Sequence, residues 1–239
     1  MSKMLKKSLE NKILQGDCLE VLKTLPEESV DCVVTSPPYN KGNKPSGQNW
    51  VNSNIDYGLY KDDRDELEYQ EWQKRIIREC LRVIKPSGSI FYNHKPRQTN
   101  HTMILPTDWL SEFDIRQVII WDRGSTPDIN PICFYKTTEW IIWIKKDIPK
   151  FNKKMAIHKE VWSFGPDMNN EHPAPFPITL PMICIQATTD EGDTVLDPFM
   201  GSGTTVLAAQ NLKRNYIGIE LNPEYIKMAE KRLRQEILI

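Results

Sequence analysis

Ser36, Pro37, Pro38 and Tyr39 follow the apolar run VDCVVT, and the two prolines force the chain out of a buried strand in a stiff, extended form. A backbone fixed at that point can offer a hydroxyl and a flat aromatic face to a ligand; read alone, the tetrapeptide is equally a rigid turn with Tyr39 covering a sheet edge. A second constellation lies near the C-terminus. In VLDPFMGSGTT, residues 195–205, Gly201 and Gly203 stand between a strand and a helix, where a bare backbone lets a ligand approach the helix N-terminus closely. Glu220 ends the next strand, YIGIEL, at about the 20-residue spacing that brings an acidic side chain to the hydroxyls of a ribose. The loop lacks the third glycine of a dinucleotide site and the lysine of a phosphate-binding loop, and Asp197 would repel a phosphate. A cationic, phosphate-free nucleoside fits such a site, and S-adenosylmethionine is one.

The elements that must position these residues read as an alternation. KILQG is a short strand, DCLEVLKTL a helix capped by Asp17, and VDCVVTS a strand buried on both faces. ELEYQEWQKRIIRECLRVI keeps helical spacing until KPSG stops it; SIFYNH is then a strand, LPTDWLSEF a short helix, and IRQVIIWDR and TEWIIWIKK are strands. From Lys145 to Pro177 the pattern fails amid lysine, asparagine and proline, and this stretch is expected to be loop or a small insertion. After it, ITLPMICIQAT is a helix, DTVLDP a strand, TTVLAAQNL a helix, NYIGIEL a strand and PEYIKMAEKRLRQEIL an amphipathic helix. This order predicts a doubly wound α/β fold with a mostly parallel sheet, in which both motifs lie at the carboxyl ends of strands.

With 239 residues the chain is expected to form a single domain, 1–239. Its 31 Lys and Arg balance 32 Asp and Glu, so a polyanionic partner must be met by a local basic surface. Five scattered cysteines without a C-x-x-C pair argue against a disulfide framework and against a zinc site. No apolar run is long enough for a membrane span, and the lysine-rich start leads into no signal core, so the cytoplasm is the expected compartment.

The pair TSPPY and DPFMGSGTT resembles the amino-methyltransferases of DNA, which transfer a methyl group from S-adenosylmethionine to the exocyclic nitrogen of cytosine or adenine. The order of the motifs, catalytic half first, resembles the permuted β group and its Rossmann-like methyltransferase fold, of bacterial restriction-modification type. The resemblance gives Ser36, Pro37, Pro38 and Tyr39 the catalytic role. The Ser36 hydroxyl and the Pro37 carbonyl would accept the two N–H bonds of the target amine, and Tyr39 would stack on a base rotated out of the duplex. It implies a cofactor site of Asp17, Cys18, His172, Phe176, Pro177, Asp197, Phe199, Gly201, Ser202, Gly203, Thr204, Thr205, Glu220 and Asn222, with S-adenosylhomocysteine as product and no metal. Asp17 is at the same time a natural helix N-cap. Double-stranded DNA is the implied partner, together with a homodimer mate and a cognate restriction endonuclease.

DNA is expected to be read by loops at 40–60 and 123–171. Asn40 and Lys41 are DNA-binding candidates in a loop suited to lie near the base, Lys145, Lys146, Lys150, Lys153 and Lys154 are candidates for phosphate contacts, and Arg123, Asn130, Asn169 and Asn170 are candidate base readers. Serine at the head of S-P-P-Y is the form common among cytosine-N4 enzymes of the family, aspartate among adenine-N6 enzymes. The expected activity is therefore N4-cytosine methylation, with N6-adenine methylation, an RNA or small-molecule methyltransferase, and a non-catalytic binding module as alternatives.

Overall fold

The computed structural model describes residues 9–40, 62–99, 102–125, 134–165 and 176–235, and within them strands and helices alternate as the sequence pattern requires. The elements are β1 (Lys12–Gln15), α1 (Cys18–Thr24), β2 (Val30–Thr35), α2 (Glu66–Val83) and β3 (Ile84–His94). A small hairpin follows, β4 (Arg97–Thr99) and β5 (Thr102–Ile104), then α3 (Pro106–Trp109), β6 (Ile115–Asp122) and β7 (Thr138–Lys145). The chain continues through a 3₁₀ turn (Lys153–Ile157), β8 (Val161–Ser163), α4 (Thr179–Thr188), β9 (Thr194–Asp197), α5 (Thr204–Asn211), β10 (Asn215–Glu220) and α6 (Pro223–Gln235).

Eight strands form one sheet in the order β1-β10-β9-β2-β3-β7-β6-β8. Every neighbouring pair is parallel except the two that involve β7, which alone runs against the rest. This is the mostly parallel α/β sheet read from the sequence. The carboxyl ends of β2, β3, β9 and β10 share one edge, and the reversal of β7 brings its amino end to that edge.

Helix α2 shows how the sequence builds the layer that covers the sheet. The Asp65 side chain accepts the Leu67 N–H, and Tyr69, Trp72, Ile76, Ile77, Cys80 and Val83 recur on one buried stripe. They pack with Leu22, Val33, Ile90 and Ile142 in one core; a second, around Val34, Trp143, Leu180 and Ile185, fills the opposite face of the sheet. Cys18, Cys32, Cys80 and Cys184 are free and buried in these cores.

Two features depart from expectation. KPSG ends α2, yet strand β3 already begins at Ile84 and carries those residues, with a register shift opposite Val30–Cys32. Gly88 makes this possible: a Cβ there would stand 2.9 Å from the Lys85 carbonyl oxygen. The irregular stretch after Lys145 contains the 3₁₀ turn and β8, a three-residue strand too short to show a period, which pairs with β6 at the sheet edge. Among the described residues no helix is long and apolar enough to cross a membrane.

Candidate active site

The two sequence motifs meet because β2 and β9 are neighbours. Thr35, the last residue of β2, donates its hydroxyl to Asp197 Oδ1 at 2.8 Å, and the Phe199 N–H donates to the same oxygen at 3.0 Å. The buried Asp197 carboxyl therefore ties the first residue of TSPPY to the first of DPFMGSG; burial pushes its pKa up to about 6, against the hydrogen bonds that oppose it. A carboxyl raised on folding contributes stability that is full below the unfolded pKa, near 4, and is lost as pH climbs through about 6. Asp197→Asn does not titrate, so its stability relative to the wild type is expected to rise by on the order of 3 kcal/mol from about pH 4 to about pH 7. Denaturant unfolding of both proteins at the two pH values measures this difference, and an unchanged gap would place the titration elsewhere.

Beyond Thr35 the chain is held on one side by a hydrogen-bonded column. The Pro38 carbonyl accepts the Tyr69 hydroxyl at 2.8 Å and the Gln73 amide at 3.2 Å, both from α2. Tyr69 has spent its one proton on that carbonyl, so His94 Nε2, 2.8 Å away, must be the donor to the Tyr69 oxygen. Burial, helped by the charge of Arg97, lowers the His94 pKa to about 3, so the ring is neutral and its Nδ1 accepts the Lys95 N–H. His94 is thus a strut of the loop and not an acid or base near neutral pH.

On the other side lies a polar cluster. Ser36 Oγ is 2.9 Å from the Tyr39 hydroxyl, which donates to Glu139 Oε2 at 3.0 Å. The Asn93 amide nitrogen reaches Tyr39 Oη and Glu139 Oε2 at 2.9 Å each, and Ser36 Oγ at 3.3 Å. Arg123 closes the cluster through a 2.9 Å ion pair with Glu139. The Tyr39 ring, half-buried, lies 5.0 Å from the His94 ring, with the Lys95 ammonium 5.9 Å from its centre.

At the glycine loop, Glu220 is positioned by backbone donors: Gly201 N–H to Oε2 at 2.9 Å and Asn222 N–H to Oε1 at 2.8 Å. Burial raises its pKa, and among the described residues no cation pairs with it. An acceptor so oriented suits the hydroxyls of a cationic nucleoside and not a phosphate. Asp17 stands beside it, since β1 pairs with β10 and Gly16 N–H donates to the Glu220 carbonyl; its side chain caps α1 through Leu19 and Glu20. Phe199 packs edge-on against Trp72 at 5.7 Å. The donor set fits S-adenosylmethionine.

Several expected ligand residues serve the scaffold. Gly203 has φ +86°, and a Cβ there would come within 2.7 Å of Ala229 Cβ, so its bareness is needed for the packing of α6. Ser202 and Thr204 are buried and accept Arg232 from α6; Thr205 reaches the Val34 carbonyl. Cys18 is a core residue whose thiol burial pushes well up; Phe176 packs on the second core, and Pro177 accepts the Leu180 N–H. Asn222 caps α6 by accepting the Glu224 N–H. The Asn40 amide is engaged at both ends by the Arg64 backbone. Lys41, His172, Asn130, Asn169, Asn170 and most of the 40–60 loop lie outside the described residues.

The lysines of the basic segment are not brought to this edge. Because β7 is reversed, Lys145 leaves the sheet at its opposite end, where it pairs with Asp114; Lys146 pairs with Glu28, and Lys150 with Asp190 and Asp193. Lys153 and Lys154 follow in the 3₁₀ turn, anchored near the end of α4 by Asn152 N–H to the Ala187 carbonyl. Among the described residues the cations at this end include Arg64, Lys95, Arg97, Arg123 and Lys136. Asn93 and Glu139, which complete the cluster at Ser36, escaped the sequence reading: they lie on strands that read only as core, about 50 and 100 residues from Tyr39.

Comparison with known proteins agrees with this geometry. The family model N6_N4_Mtase, DNA methylase, matches residues 30–231, and the chain belongs to that family. It is 32% identical to the type II methyltransferase M.BglII of Bacillus subtilis over 95% of this chain and 69% of the relative. The solved structure of the PvuII cytosine-N4-specific DNA methyltransferase superposes with a TM-score of 0.75 at 23% identity, covering 93% of this chain and 86% of that one, a likeness of fold. The M1.HpyAVI complex with S-adenosylmethionine superposes with a TM-score of 0.62 at 26% identity, covering 93% and 98%. The protein is thus a DNA methyltransferase of the N4-cytosine/N6-adenine type, and S-adenosylmethionine is its methyl donor.

Proposed function

We propose that the protein methylates the N4 amine of a cytosine rotated out of duplex DNA. The observation that carries this reading is the placement of the Ser36 hydroxyl: it heads a braced proline loop on the sheet edge where Glu220 lies, and it is linked to the cofactor loop through Thr35 and Asp197. An exocyclic amine is a poor nucleophile because its lone pair is delocalised into the ring. Ser36 Oγ and the Pro37 carbonyl, accepting its two N–H bonds, would draw the nitrogen toward a tetrahedral form and expose the lone pair to the sulfonium methyl. S-adenosylmethionine, when bound, would supply the methyl group in line with that lone pair, and the proton of the methylated amine would leave afterwards to solvent. Tyr39 supplies the stacking face.

The whole chain acts as one catalytic domain. Its DNA contacts come from the connections that leave the sheet beside Ser36: the segment after Asn40, the β6–β7 connection that Arg123 begins, and the cations of the hairpin side. Incubation with S-adenosylmethionine and mixed-sequence unmethylated DNA, followed by digestion and mass spectrometry of the nucleosides, is expected to yield N4-methylcytosine. N6-methyladenine would keep the site and overturn the target base; transfer to RNA alone would overturn the substrate.

A further inference from the structure

The cluster behind Ser36 has a direction. Glu139, buried and held in an ion pair by Arg123, accepts through its carboxylate, so the Tyr39 hydroxyl directs its proton at Glu139 Oε2, 3.0 Å away. Tyr39 Oη then has two lone pairs left. One takes an Asn93 N–H at 2.9 Å; the other faces Ser36 Oγ, also at 2.9 Å, and among the described residues Ser36 supplies the proton that fills it. Asn93 cannot be turned the other way, since its oxygen would then meet the carboxylate. The protein keeps this orientation although it leaves the buried Asn93 Oδ1 with no partner among the described residues. The Ser36 proton is therefore committed inward, to Tyr39, and its outward lone pair is left for an N–H.

From this we infer that Glu139, held by Arg123, is a positioning residue for methyl transfer: acting through the Tyr39 hydroxyl, it sets the hydrogen-bond polarity that makes Ser36 an acceptor toward the target amine. The inference rests on the amine-methylation reading above and adds what orients its serine. No covalent step is involved. A group at position 139 able to donate would reverse the chain, turning the Tyr39 proton onto Ser36 and the Ser36 proton toward the amine, N–H against O–H.

The test compares wild type, Glu139→Gln, Tyr39→Phe and the double variant in single-turnover methyl transfer to DNA, with S-adenosylmethionine affinity measured on each. Glu139→Gln is expected to slow transfer by about 10- to 100-fold while leaving cofactor affinity and the KM for DNA within about twofold. In the Tyr39→Phe background, where no phenol remains to carry the polarity, the same substitution is expected to cost nothing further. Equal losses in both backgrounds would show a merely structural role and overturn the inference, as would an unchanged rate in Glu139→Gln. If Glu139→Gln lost cofactor binding, Glu139→Gln with Arg123→Gln, which removes both charges of the pair, carries the same comparison. Absence of any transfer to DNA by the wild type would instead count against the functional reading.

Discussion

Tyr39→Ala is expected to slow methyl transfer to DNA by on the order of 10²- to 10³-fold while leaving S-adenosylmethionine affinity near that of the wild type. Two losses add. In the proposed function the ring is the surface on which an extruded base would rest, and stacking of this kind contributes about 1–3 kcal/mol. The hydroxyl is bonded to Ser36, Asn93 and Glu139, and its removal leaves each of them one hydrogen bond short, at about 1–3 kcal/mol in all. Nothing in this set touches Glu220 or the glycine loop, so the cofactor should bind as before. Single-turnover rates at saturating cofactor, together with calorimetric titration of S-adenosylmethionine, separate the two effects. A collapse of cofactor affinity would make Tyr39 a packing residue of the loop.

Glu220→Ala is expected to act on the other half of the site and in the opposite way. Its carboxylate is oriented by the Gly201 and Asn222 N–H groups, and two hydrogen bonds from ribose hydroxyls to a charged acceptor would each contribute about 1.5–3 kcal/mol. Their loss should weaken S-adenosylmethionine by about 10²-fold or more, with a much smaller change in the rate at saturating cofactor. Glu220→Gln, which keeps an acceptor for the loop, should fall between the two. An unchanged affinity in Glu220→Ala would remove the ribose from this position.

Much of this site was legible from residue types and spacing. The alternation of periods gave the parallel sheet; the apolar runs before Ser36 and Asp197 marked both as strand ends, and Glu220 followed at the expected distance. The reading failed where pairing decides. No local pattern says that β7 runs against its neighbours, yet that reversal carries Glu139 to Tyr39 and Lys145 to the far edge. A basic segment is visible in composition, but the end of the sheet at which it emerges is not. Gly203 shows a similar limit: its type and position suit a ligand loop, while the φ of +86° and the nearness of Ala229 belong to the packing of α6, about 26 residues later. Strand β8 and the β4–β5 hairpin, with three residues each, are below the length at which a period can be counted.

In the proposed function the serine-proline loop and the glycine loop form one site, with the methyl donor laid between Glu220 and Ser36. A crystal structure of the protein with S-adenosylmethionine tests it most directly. The ribose hydroxyls should lie within hydrogen-bond distance of Glu220, and the sulfonium methyl should face the space bounded by Ser36 Oγ, the Pro37 carbonyl and the Tyr39 ring. A nucleoside bound away from Glu220, or a methyl group turned away from Ser36, would contradict the account.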